Sequence, residues 1–289
     1  MVAIPQAISS SSTVRQVRAA GSVALTVEIR GEPEAPAILF AHGFGQTRHA
    51  WTRSAQRLAD DGWQTITFDA RGHGTSGRVA DGGYHLQQFL DDLLGVARAL
   101  PQPPVLVGAS MGGLLGLALA GEIAPPPFRA LVLADITPRW ESAGVVRMLG
   151  FMRAHPDGFA GFDEGSNAIA AYLPHRSRRK SEDELTSLLR RCDDGRLRWH
   201  WDPALLDTIA AEAERYQPRL LAAARRVTIP TLLLSGGRSD VVSRDTVSEF
   251  LVLLPHARHV ELPQATHMLA GDANEAFTDE IGKFVVALP

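Results

Sequence analysis

The chain predicts an α/β fold, with a mostly parallel central sheet flanked by helices and an inserted all-helical block. Three observations carry this. Short, fully apolar runs alternate with amphipathic ones along most of the 289 residues, the rhythm of βαβ units. The run Pro104-Val105-Leu106-Val107 stops abruptly at Gly108-Ala109-Ser110-Met111-Gly112 and gives way to a Leu/Ala-rich helical run: a strand, a sharp turn and a helix with serine at the apex. The alternation then halts at Pro138 and resumes near Thr228.

Composition narrows the class. An apolar content of 45% is enough for one large core, so one α/β domain with an insertion is expected rather than two domains. A net charge of −3 supplies no basic field, so nucleic acid is not an expected partner. The single cysteine, Cys192, rules out an internal disulfide framework and a cysteine zinc site. Residues 1–13 are rich in Ser and Ala without the apolar stretch of a secretory signal, and are expected to be a flexible leader. No apolar run reaches the length of a membrane span. A cytoplasmic protein with a small-molecule partner, and no membrane partner, is expected.

In order, residues 14–19 and 23–29 read as strands about the Ala20-Gly21-Ser22 turn. Residues 37–40 are apolar throughout, as in a strand buried on both faces, and run into Ala41-His42-Gly43-Phe44-Gly45. A helix over 51–61 ends at Asp61-Gly62, and a strand over 63–68 enters the glycine-rich loop 69–77. A helix over 86–100 stops at Pro101. The serine turn and its helix follow, then a strand over 130–135. Within 138–224 the periodicity predicts helices over 142–154, 166–172, 182–192 and 205–214, and no strand. Residues 225–289 complete the sheet domain begun at 14–137, with strands at 231–234 and 259–262 and helices at 245–254 and 275–286.

Gly108 and Gly112 have a steric reason, since side chains two positions either side of so tight a turn would collide. Ser110 is thereby exposed at a helix N-terminus, where backbone N–H groups and the helix dipole favour developing negative charge. A serine hydroxyl needs a base. His267 lies past the last strand, at the same carboxyl edge of the sheet. The base needs a carboxylate, and Asp240, just past the strand at 231–234, is the expected one. Asp135, also just past a strand, is its rival, with a turn at the start of the inserted block as its other reading.

The order Ser110, Asp240, His267 resembles that of the α/β-hydrolase fold superfamily, in its serine-nucleophile esterase and haloperoxidase-like branch with a helical cap. His42-Gly43-Phe44-Gly45 resembles the oxyanion loop of that family, and Asp69-Ala70-Arg71-Gly72-His73-Gly74-Thr75-Ser76 resembles its D-x-R-G-x-G-x-S segment. The resemblance implies an oxyanion hole from the backbone N–H groups of Phe44 and Met111 and an acyl-enzyme route to ester cleavage. Hydrolysis of C–C bonds, lactones or cofactor-free perhydrolysis on the same triad are the alternatives, and a non-catalytic binding protein is a third reading. Haloalkane dehalogenases and epoxide hydrolases need an aspartate where Ser110 stands. His42, Arg71 and His73 are expected to brace loops. Neither metal nor organic cofactor is expected, since no ligand cluster or dinucleotide fingerprint occurs. Trp140, Phe151, Met152, Trp199 and Trp201 are candidates for a substrate pocket or for the core of the cap. The basic run Arg176, Arg178, Arg179 and Lys180 is expected to be a solvated helix start, with attraction of a carboxylate-bearing substrate as its sharper reading.

Overall fold

A computed structural model describes residues 12–19, 23–174 and 179–289. The Ala20-Gly21-Ser22 turn, most of the expected leader, and Arg176 and Arg178 lie outside the described residues; Thr13 already belongs to the first strand.

The strands are β1 (Thr13–Arg18), β2 (Ala24–Arg30), β3 (Ala37–Ala41), β4 (Gln64–Phe68), β5 (Val105–Ala109) and β6 (Ala130–Ala134), then a short pair β7 (Leu189–Arg191) and β8 (Leu197–Trp199), and finally β9 (Thr231–Gly236) and β10 (Arg258–Leu262). The main sheet, among the described residues, has the order β1-β2-β4-β3-β5-β6-β9-β10. β1 and β2 are antiparallel to their neighbours, and from β4 onward every pairing is parallel. The central strands are apolar because helices cover both faces. α1 (Thr52–Asp60) lies on one side, α2 (Leu86–Arg98) and α3 (Met111–Glu122) on the other. Leu39, Leu106, Leu131 and Leu233 point to one face and Ile38, Phe40, Val107 and Val132 to the other, the period-two alternation of strands, so each layer has its own core.

Residues 138–224 carry α4 (Ser142–Arg153), α5 (Phe162–Tyr172), α6 (Glu182–Thr186), α7 (Ala204–Asp207), α8 (Ile209–Glu212) and α9 (Gln217–Ala224). The block is not all helical. The helix expected over 182–192 ends at Thr186, and Leu189–Arg191 pairs with Leu197–Trp199 as an antiparallel hairpin. Its turn is Asp193-Asp194-Gly195, with Gly195 at φ +80°. Leu189 and Leu197 are buried against Phe159, and the intervening arginines point outward, so two-residue alternation outcompetes a helical reading of the same letters. The helix expected over 205–214 is likewise broken at Thr208.

The block sits over the carboxyl edge of the sheet and is tied to it by polar contacts. Asp202 accepts from the Tyr84 hydroxyl at 2.8 Å, and its N–H donates to Gly72 O at 2.7 Å. The Thr47 hydroxyl donates to Ser187 O, Glu141 N–H to Val241 O, and Arg219 makes two 2.7 Å bonds to Glu122. α10 (Arg244–Leu253), α11 (Leu269–Asp272) and α12 (Asn274–Val286) complete the sheet domain.

Candidate active site

Ser110 joins β5 to α3 with φ +46° and ψ −117°, a conformation that costs a non-glycine residue about 1–3 kcal/mol. The surrounding packing imposes it. A Cβ on Gly108 would lie 2.5 Å from Gly113 N, and one on Gly112 would lie 2.3 Å from Ala41 O. Neither position accepts a side chain without moving backbone, so the tip of the turn is left to serine.

Sheet register sets what stands beside it. Ala109 pairs with Ala134, so Asp135 emerges next to Ser110, one strand over. Asp135 is fully buried with φ +51°, its carboxylate turned along the sheet edge. Its Oδ1 accepts from Gly236 N–H at 2.7 Å; its Oδ2 accepts from the Ser239 hydroxyl and from His267 Nδ1, the latter at 2.8 Å. Three donors converge on one carboxylate and fix its orientation. His267 is held in turn by its loop. Thr266 N–H donates to Asp272 at 3.0 Å, and Met268 N–H to the Thr266 hydroxyl at 3.3 Å. Nε2 of His267 has no hydrogen bond among the described residues.

The expected pairing of Asp240 with His267 is therefore corrected: Asp135 is the partner. Asp240 stands four positions beyond the end of β9, far enough for the chain to turn away. Ser239, not Asp240, faces inward, and its Oγ also accepts from the N–H groups of Val241 and Val242 at 3.1 Å. Asp240 faces α4, where its Oδ2 accepts from Arg147 Nε at 2.8 Å and from Nη2. Gly144 permits this approach, since a Cβ there would lie 2.0 Å from Asp240 O. Ser239 had no motif to announce it in the sequence.

The loop after β3 supplies donors. Gly43 N–H is taken by Gln46 Oε1 at 3.1 Å, Gly45 N–H by His73 Nε2 at 3.1 Å, and Gln46 N–H by Gly43 O at 3.1 Å. Phe44 N–H is left without a partner among the described residues, as is Met111 N–H at the start of α3. Backbone donors spared inside a packed loop and at a helix N-terminus suit a developing anion. His42 and His73 brace this loop. His42 Nε2 accepts from Ala70 N–H at 2.9 Å while Nδ1 donates to Gly43 O at 2.8 Å; His73 Nδ1 donates to Arg71 O at 3.0 Å. Burial lowers both imidazoles, His73 to about 3 with the neighbouring His42 adding to the effect. Arg71 is locked to buried Asp92 by bonds of 2.6 and 2.7 Å, a pair whose breaking costs about 3–5 kcal/mol.

Two cavities meet at Ser110 and His267. The wider, about 380 Å³, is walled by Phe151, Met152, Trp199 and Trp201. The narrower, about 100 Å³, is lined by Leu114, Ile136, Trp140 and Leu220, with Phe44 common to both. The candidate aromatics thus divide between the limbs. Phe151 stacks on Tyr172 at 4.3 Å, meets Trp199 edge-on at 5.7 Å, and Trp199 stacks on Trp201 at 6.3 Å, so a continuous aromatic wall runs toward Phe44. The block keeps a separate core of Phe159, Ile169, Leu185, Leu189 and Leu197.

Residues 36–273 match the model of the family described as alpha/beta hydrolase fold. A 3-hydroxybutyrate-oligomer hydrolase of Cupriavidus necator is 30% identical over 82% of this chain and 84% of its own length. An esterase of Mycobacterium tuberculosis is 28% identical over 87% of this chain and 83% of its own. The solved structure of an E-2-(acetamidomethylene)succinate hydrolase superposes with a TM-score of 0.83 at 27% identity, covering 96% of this chain and all of that one.

Proposed function

This chain belongs to the alpha/beta hydrolase fold family and is an enzyme, and from that premise we propose that it is a serine hydrolase cleaving a carboxylic ester of a small to medium, fairly apolar substrate. The observation that carries the reading is that Ser110 and His267, the latter held by buried Asp135, line the same two cavities. His267 Nε2 takes the Ser110 proton as Oγ attacks the ester carbonyl, and the carbonyl electron pair moves to oxygen, facing Phe44 N–H and Met111 N–H. Each such donor is worth about 3–4 kcal/mol in the transition state. Asp135 keeps the imidazole in the tautomer with Nδ1 protonated and stabilises the imidazolium. Collapse returns the His267 proton to the leaving alcohol and leaves an acyl-Ser110; water, deprotonated by His267, then releases the acid. The relatives named as esterase and oligomer hydrolase support ester chemistry.

Residues 138–224 act in this reading as a cap that sets substrate choice, since their aromatics wall the wider limb. The test is labelling and turnover. A fluorophosphonate adds one increment of mass to the peptide containing Ser110, and a panel of 4-nitrophenyl esters, one lactone and one vinylogous diketone identifies the bond cleaved. Ser110→Ala loses both labelling and turnover while remaining folded; activity retained in that variant overturns the proposal.

A further inference from the structure

The wider limb is lined by charged residues as well as by aromatic ones. Three cationic residues, Arg147, Lys180 and Arg238, contribute to its lining, against one carboxylate, that of Asp240. The cations are not equivalent. Arg147 is committed, because Nε and Nη2 donate to Asp240 and Nη1 donates to Tyr172 O at 3.1 Å, with its guanidinium 4.7 Å over the Tyr172 ring. Asp240 is thereby neutralised as well. Arg238 differs: its exposed side chain has no hydrogen-bond or ion-pair partner among the described residues. Its backbone is nonetheless anchored, since Arg238 N–H donates to Ala265 O at 2.9 Å, binding it to the loop that carries His267. The Arg238 charge, with no partner among the described residues, is thus held beside the loop that carries His267, and Lys180, from the basic run noted in the sequence, lines the same limb.

We propose that the wider limb is built for a substrate arm ending in a carboxylate, and that Arg238 is the residue that reads it. This rests on the ester-hydrolase reading for the reaction and adds the chemistry of the substrate's far end. The aromatic wall takes the arm's apolar part, the Arg238 guanidinium its anionic end, and the narrower apolar limb the arm on the other side of the scissile carbonyl. Arg147, already paired, holds the shape of the mouth without offering a free charge.

Two substrate pairs place the charge on either side of the ester: mono-4-nitrophenyl glutarate against 4-nitrophenyl pentanoate, and 4-butyryloxybenzoate against its methyl ester. The unreactive amides 4-butyramidobenzoate and 4-butyramidobenzamide, and N-(4-nitrophenyl)glutaramate and N-(4-nitrophenyl)pentanamide, form matching anionic and neutral pairs that report binding by calorimetry without turnover. The expected result is that one pair shows a preference for the anion, weakened by added salt. In Arg238→Gln the anion-to-neutral ratio of kcat/KM, and of affinity, falls about fivefold, the scale of one exposed charge contact. Arg238→Glu lowers it further. Absence of any anion preference in the wild type, or the same ratio in all three proteins, overturns the proposal. If Ser110 resists the fluorophosphonate and no ester turns over, the hydrolase reading fails, while the amide affinities still decide the role of Arg238.

Discussion

Asp135 and Asp240 both follow strands of the sheet, yet only Asp135 lies against His267, and the two make opposite predictions. Asparagine at 135 presents an amide to a position that Nδ1–H occupies, favouring the wrong imidazole tautomer, so Asp135→Asn is expected to lower kcat by about 10³–10⁴. Asp240→Asn only loosens the Arg147 contact at a half-exposed site and is expected to change kcat by less than about tenfold. Stopped-flow turnover of one ester with both variants checks this. Ser110 and His267 were legible because each is announced locally, by glycines around a turn or by its place after the last strand. The acid was not, because a residue near a strand's end is aimed by φ, register and loop length, none of which is written in its neighbours. Ala109 opposite Ala134 settles it only once the strands are paired.

At the scale of elements, the loop after β3 and the segment after β4 act as one unit, joined by the acceptance of Gly45 N–H and Ala70 N–H by two buried imidazoles. An imidazole accepts such a bond only when neutral. The unfolded chain takes up a proton on residue 73 below pH 6.5, while the folded chain refuses it until about 3. His73 therefore contributes stability that is complete above pH 6.5 and is lost progressively as pH falls toward 3, with His42 acting in the same direction. Urea midpoints measured between pH 7.5 and 4 are expected to fall, and His73→Asn to flatten that slope while lowering the midpoint at pH 7.5. Elements covered by apolar periodicity on the sheet were legible in the sequence; the hairpin at Leu189–Trp199 was not, because its strands are three residues long and its inward leucines fit a helix equally well.

At the scale of the whole molecule, under the proposed function the sheet carries the reacting groups and the block that covers it carries the selective surface. Phe151→Ala and Trp199→Ala are expected to shift relative kcat/KM among esters by about 1–3 kcal/mol while leaving Ser110 open to fluorophosphonate. An equal loss for every ester would make these rings scaffold. That Trp140, Phe151, Trp199 and Trp201 line cavities was beyond the sequence, since a tryptophan lining a cavity and one packed within a block obey the same apolar pattern. The position of Asp135 has a consequence for how such a molecule diversifies. With the carboxylate that holds His267 placed just after β6, the segment beyond Ser239 takes no part in holding His267, and Asp240 is bound instead to Arg147 of α4. Exchanging residues 138–224 together with segment 240–242 for those of a relative is therefore expected to change the mouth of the wider limb while keeping the Asp135–His267 contact.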